Sequence, residues 1–344
     1  YIIIGKVYFQ MDFINCKGRV KICRKFHFII LLILMIICIN GVNATDISDN
    51  STIGDQSPTI YVDGSYVGDI GSDTQLNLYD LVSSAVGDAD GGETLYVSPG
   101  GDDNNSGTRD SPLATLAHAI EISETGNLVL LEGVHKASNL NTDKTLNIIG
   151  ESNAIIDAAK SNRILYIYEG GDVTFFNIEM INGYSSESGA LLGNAGKLTL
   201  RNTTLSDSVS NNNGGAVYNV GTLTIIDSIF KNNTANLGGA IYSGSNYKEN
   251  LNIEILNTVF ADNTALGNAN NKGGGAIYAQ ASSGNFIVNN VTFKNNKAGK
   301  YGGGALYAMQ LDNIRISDSK FINNSAQVNE YYGGGAIAVI GGNY

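Results

Sequence analysis

From about Leu128 onward, apolar and polar residues alternate with a period of two in short stretches, each closed by a small polar residue. Val173, Phe175 and Asn177 align with Leu198, Leu200 and Asn202, then with Leu223, Ile225 and Asp227, and then with Ile253, Ile255 and Asn257. Phe286, Val288 and Asn290, and Ile314, Ile316 and Asp318, extend the alignment, and shorter versions through Leu128 and Leu130 and through Leu146, Ile148 and Gly150 precede it. Three residues beyond each turn residue stands another apolar side chain: Met180, Leu205, Phe230, Phe260, Phe293 and Phe321.

A coil of this length with only two or three short strands cannot bury its own apolar face, so it is stable only when stacked on like coils. The pattern therefore predicts an all-β fold, a right-handed parallel β-helix of about eight coils, the solenoid type of the pectin lyases. Phe230, Phe260, Phe293 and Phe321 should stack as one core column. Asn177, Asn202, Asn257 and Asn290, with Asp227 and Asp318, should form a ladder at a corner where the chain bends, because asparagine tolerates left-handed backbone angles. Stacked carboxylates resist burial, so that corner is expected to be hydrated.

Ahead of the repeats the pattern changes. Thr59–Val62 and Thr94–Val97 read as strands, and Leu113, Leu116, Ala117 and Ile120 fall at helical spacing behind Ser111 and Pro112, which read as helix N-cap and first helical residue. This predicts a short helix capping the open end of the stack. The organisation expected is upstream residues and a signal peptide over 1–44, a linker over 45–57, an N-terminal lead-in and cap over 58–127, and repeats over 128–344.

The signal is read from Lys17, Arg19, Lys21, Arg24 and Lys25 before the apolar run Phe28 to Ile39, which is too short to cross a bilayer as a helix. Cys16, Cys23 and Cys38 all lie in it, so from Thr45 onward no thiol remains for disulfides or nucleophilic catalysis. Beyond residue 44 stand 15 basic and 31 acidic residues, a balance of −16 that argues against nucleic acid as a partner. The chain stops just after a Gly-Gly-Ala-Ile cluster, which reads as a fragment whose next coil is missing.

Glycine clusters open a strand in each later coil: Gly214-Gly215-Ala216-Val217, Gly238-Gly239-Ala240-Ile241, Gly274-Gly275-Ala276-Ile277, Gly303-Gly304-Ala305-Leu306 and Gly334-Gly335-Ala336-Ile337. They alternate with Phe230-Lys231-Asn232-Asn233, Phe260-Ala261-Asp262-Asn263, Phe293-Lys294-Asn295-Asn296 and Phe321-Ile322-Asn323-Asn324. This pairing resembles the chlamydial polymorphic outer membrane protein repeat and is similar to the adhesin-like β-helix proteins of methanogenic archaea. The resemblance implies a secreted protein of the cell surface or envelope. It also implies a non-enzymatic, adhesin-like role in attachment, with glycans or proteins of another cell as partners.

The alternative is a polysaccharide lyase or glycosidase acting on acidic or cell-surface glycans, since those enzymes share the fold class. Their chemistry needs clustered carboxylates beside arginine, histidine or calcium. Arg109, Arg163, Arg201 and Arg315 are scattered, and His118 and His135 read as surface or packing residues, so no catalytic residue is assigned and no enzyme is expected. No cofactor is expected either, with calcium at the corner carboxylates the one exception left open. Asp102, Asn104, Ser106 and Gly107 mimic the start of a calcium loop, but Leu113 stands where the closing glutamate belongs, which favours a plain turn. Tyr218, Tyr242, Tyr278 and Tyr307 form the candidate ligand-binding set: they follow the glycine clusters as an aromatic column that either packs on itself or, facing outward, stacks on sugars.

Overall fold

The computed structural model describes residues 93–344, apart from 245–250, 268–272, 282, 301, 328–333 and 344, together with four short strands before residue 70. The chain divides into two units, Tyr1–Gly87 and Asp88–Tyr344. In the first, Ile2–Ile4 pairs with Val7–Phe9 and Thr59–Val62 with Ser65–Asp69, both antiparallel. The expected signal peptide and linker lie outside the described residues.

The second unit is a parallel β-helix. One coil shows how the sequence winds it. Lys197–Arg201 forms the first strand, with Leu198 and Leu200 fully buried inside and Lys197 and Arg201 outside. Asn202 then turns the chain in the left-handed region (φ 49°), and Thr204–Ser206 forms a second strand that sends Leu205 into the core. Asp207 (φ 56°) makes the next corner, Val209–Ser210 a third strand, and Gly214 (φ 66°) the corner after it. Val217–Asn219 is the fourth strand, and Thr222–Ile226 begins the next coil directly beneath Lys197–Arg201.

Stacking these coils gives parallel sheets along one axis. The second strands make an eight-stranded sheet running from Gly133–Lys136 to Lys320–Ile322, which agrees with about eight coils. The third strands make a six-stranded sheet, and Leu306–Ser317 is one long strand that joins the first and fourth sheets. Parallel crossovers within one sheet are right-handed in nearly all proteins, which fixes the winding. Most of the core is aliphatic, with Phe230, Phe260 and Phe293 fully buried and stacked at ring-centroid separations of 4.8 and 5.1 Å; Phe321, partly buried, stacks at 4.8 Å on Phe293.

Three expectations change. The stack begins earlier than Leu128, because Glu93–Val97 already pairs in parallel with Gly126–Leu130. The register of the first coils shifts by two residues, since Leu128 lies against Ile148, not Leu146, and so joins the column of Phe175 and Leu200. The helix spans Leu116–Ile122 with Thr115, not Ser111, as N-cap. Residues 111–114 are instead drawn into bridges, Ser111 with Thr108 and Leu113 with Val97, so helical phase starts at Leu116 and buries Ala119 while Ala117 stays exposed.

The acidic loop before the helix explains the N-cap. Asp102 accepts from the backbone and side-chain amides of Asn104, a plain Asx turn. Asp103 accepts from the backbone amides of Ala114 and Thr115 and from the Thr115 hydroxyl, and Thr115 in turn caps His118. Burial works against the Asp103 carboxylate, but the Thr115 hydroxyl and those amides hold its pKa below the usual value.

At the other edge of the core, His135 occupies the inward position that Ile156 takes in the next coil. It is 4% exposed, and burial lowers its pKa although the Leu131 carbonyl accepts from Nε2. Its Nδ1 has no hydrogen-bond partner among the described residues, so the ring sits neutral in the core. Unfolding frees it to bind a proton, and stability is therefore expected to fall as pH drops below about 6.5. Melting temperatures between pH 7.5 and 5 should decline in the native chain and decline less in His135→Leu. Equal slopes would sink this account.

Candidate functional site

The tyrosine column forms, and its direction is set by the strands that carry it. Val217 and Asn219 are fully buried, so Tyr218 between them points out of the coil, as do Tyr242, Tyr278 and Tyr307 in register below it. The rings stack nearly parallel, at centroid separations of 5.6, 5.1 and 5.0 Å and tilts of 8°, 6° and 13°. Each inner ring therefore has both faces occupied by its neighbours.

Exposure falls along the column. Tyr218 and Tyr242 are partly exposed, Tyr278 is 6% exposed, and Tyr307 is fully buried. Burial raises the phenol pKa values of all four, that of Tyr307 to about 12, so these hydroxyls stay protonated and act only as hydrogen-bonding groups. Tyr278 uses its hydroxyl to donate to Gln280 (2.6 Å). A sugar approaching this column would meet ring edges, not faces.

One coil above Tyr218 the column is interrupted by Gly193, and above that stands Tyr166. A side chain at Gly193 would collide with the Tyr166 ring, which leans over it. Arg163 lies there as well: its guanidinium is 5.1 Å from the Tyr166 centroid and donates to the carbonyls of Gly189 and Ser188. A cation thus stands beside the place where the column lacks a ring.

The corner ladder also forms. Asn177, Asn202, Asp227, Asn257, Asn290 and Asp318 all have φ between 49° and 56°. Asn202 donates to Asn177, Asn257 to Asp227 and Asn290 to Asn257, at 2.9–3.0 Å. Each amide donates to the coil before it, and the aspartates only accept. The whole column is partly or fully exposed, which agrees with a hydrated corner. A second exposed column of the same kind flanks the other side of the eight-stranded sheet, with Asn182, Asn232 and Asn295 donating to Asp157, Asp207 and Asp262.

The buried ladder is elsewhere, at the last residue of each Phe-X-X-Asn. Asn233, Asn263 and Asn296 are fully buried. Asn233 donates to Asn263, Asn263 to Asn296 and Asn296 to Asn324, at 2.9–3.0 Å. Each also donates to a core-strand carbonyl, of Leu205, Phe230 and Phe260 in turn. The sequence carried a signal for it: this column is asparagine in all four motifs, while the exposed columns admit aspartate. A buried position that must donate and accept at once excludes the carboxylate.

Among the described residues there is no group of three or more His, Cys, Asp or Glu placed to hold a metal ion. On the outer face of the first sheet, Asp172 pairs with Lys197 (2.8 Å), and Glu254 and Arg315 stand two coils apart. Arg109 pairs with Glu151 near the N-terminal end, and Arg163 and Arg201 lie on different faces.

A family model, the Chlamydia polymorphic membrane protein repeat, matches residues 227–244, 257–280 and 290–309. A probable outer membrane protein, pmp1, of Chlamydia pneumoniae is 36% identical over 109 residues, 30% of this chain and 12% of that protein. An uncharacterized protein, YwoF, of Bacillus subtilis (strain 168) is 49% identical over 45 residues, 13% of this chain and 10% of its own length. The chain thus spans only about a tenth of these relatives.

Among solved structures, a rhamnogalacturonan lyase aligns over 73% of this chain and 62% of its own, at 14% identity and a TM-score of 0.38. A lacto-N-biosidase of Eubacterium ramulus aligns over 72% and 67%, at 12% identity and a TM-score of 0.27. The three matched repeats coincide with consecutive coils: each contains one Phe-X-X-Asn or its corner and one Gly-Ala strand. The repeat is therefore the structural unit that builds both the buried asparagine ladder and the tyrosine column.

Proposed function

We propose that this chain is a non-enzymatic, surface-displayed β-helix that mediates attachment, with glycans or proteins of another cell surface as its partners. The observation that carries the reading is the coil-by-coil match to a membrane protein repeat. The matched stretches contain the buried asparagines and the glycine clusters that hold the stack together. A rod of coils in register suits display, because its length holds those faces away from the surface that bears it.

The test is retention. Beads coated with the purified chain should hold intact cells above the level of beads coated with an unrelated protein, and soluble chain should compete. The same preparation incubated with pectin, alginate or host glycans should release no unsaturated or reducing ends. Product release, or retention no better than the control beads, would overturn the reading.

A further inference from the structure

A groove of about 490 Å³ runs beside the capping helix, between it and the first strand of the fourth sheet, Leu140–Thr142. That volume lies within the range of small-molecule sites, roughly 300–1,000 Å³. Nothing in the attachment reading assigns it a role.

Its floor is apolar, formed by Ala117, Ile120 and Leu140. Among the described residues, Leu140–Thr142 is the edge strand of its sheet, paired only with Leu165–Ile167, and that edge faces the groove. The exposed side chains of Asn139, Asn141 and Asp143 stand along that edge. They offer amide donors, amide acceptors and one carboxylate within a single short run.

Tyr168 closes the far side. It is 50% exposed, among the most exposed large apolar side chains described. It is also held in place: its ring packs at 5.1 Å and 59° against Tyr166, which lies against the anchored Arg163 guanidinium, and its backbone amide donates to Thr142 (2.8 Å). Tyr168 is thus an aromatic platform fixed from behind and open in front, unlike Tyr242 and Tyr278, each stacked on both faces.

An aromatic face beside amides and a carboxylate is the chemistry that binds a sugar ring, through apolar C–H contact on one side and hydroxyl hydrogen bonds on the other. The charge of the groove selects among sugars. Asp143 and Glu121 are exposed carboxylates, while the one cation of the lining, the Lys144 ammonium, is engaged by the carbonyls of Ile120, Glu121 and Ser123 at the helix end (2.9, 3.0 and 2.5 Å), which leaves the two carboxylates in excess. Anionic uronates would therefore be repelled.

We infer that this groove binds a neutral oligosaccharide, stacked on Tyr168 and hydrogen-bonded by Asn139, Asn141 and Asp143. The inference deepens the attachment reading by naming a ligand class and a place for it.

Calorimetric titration of the full chain with cellotetraose and tetra-N-acetylchitotetraose tests it, with tetragalacturonate as the anionic comparison. At least one neutral tetrasaccharide should bind, with affinity falling at least ten-fold in Tyr168→Ala, kept in Tyr168→Phe and unchanged in Tyr242→Ala. The Tyr168→Ala chain should melt as the native chain does, since that ring is half exposed. No binding of either neutral sugar, binding unaffected by Tyr168→Ala, or a preference for tetragalacturonate would overturn the groove. Cell retention that persists without tetrasaccharide binding would overturn the groove alone and leave attachment standing.

Discussion

Replacing Asn263 by alanine is expected to destabilise the β-helix by about 3–6 kcal/mol, taking roughly 1–2 kcal/mol for each buried group left unsatisfied. Three such groups result. The backbone and side-chain N–H groups of Asn233 lose their shared acceptor, the Asn263 Oδ1 at 3.1 and 3.0 Å, and the Phe230 carbonyl loses its donor. None can turn to water, because Asn233 and Phe230 are fully buried. Asn263→Asp should be worse, since a carboxylate cannot donate to Phe230 or Asn296 and would be a buried charge between acceptors.

The exposed ladder supplies the control. Asn257→Ala removes side-chain bonds to Asp227 and Asn290 on a solvent-facing corner, and both partners can be hydrated there. Its expected cost is about 1 kcal/mol, mostly from alanine in a left-handed conformation. Because coils of a solenoid need not unfold together, hydrogen exchange is the better measurement. Asn263→Ala should accelerate exchange through Phe230–Asn296, and Asn257→Ala should not. Equal effects of the two substitutions would show that burial does not separate the ladders.

That contrast also shows what could be read in the chain before its structure. The stack was legible because its period is carried by many residues, and a single misread pair such as Leu128 and Leu146 shifts one coil without hiding the fold. The ladder was placed at the turn residue because asparagine there explains a bend. What decided between two asparagine columns was burial, and alternation does not extend reliably through a left-handed corner. The helix start was missed for a related reason: Ser111 and Pro112 have the local chemistry of a helix start, but Leu113 gains more by bridging to Val97 and filling the core. The tyrosine column was visible in register but not in direction. The Tyr168 groove was not visible at all, because it gathers residues from the helix and from two coils.

Gly239→Ala is expected to be at least as damaging as the loss of Asn263, through backbone contact between coils. The two glycines of each cluster act differently. Gly238 adopts φ 61°, a conformation open to glycine, whereas Gly239 has no left-handed angle and is required by closeness alone. A methyl carbon at Gly239 would lie 2.6 Å from the Thr264 backbone and would overlap the Gly275 carbonyl oxygen in the next coil. Neither neighbour can withdraw, because hydrogen bonds tie the coils together on both sides of the point, from Gly239 to Gly274 (3.2 Å) and from Ala240 to Ala276 (2.9 Å). Overpacking of flexible side chains costs about 1–3 kcal/mol, and backbone that cannot shift should exceed that range. Thermal melts and limited proteolysis should therefore find Gly239→Ala unfolded or cleaved within the matched coils. A Gly239→Ala chain that melts with the native one would show that the coils are held together less closely than this geometry requires.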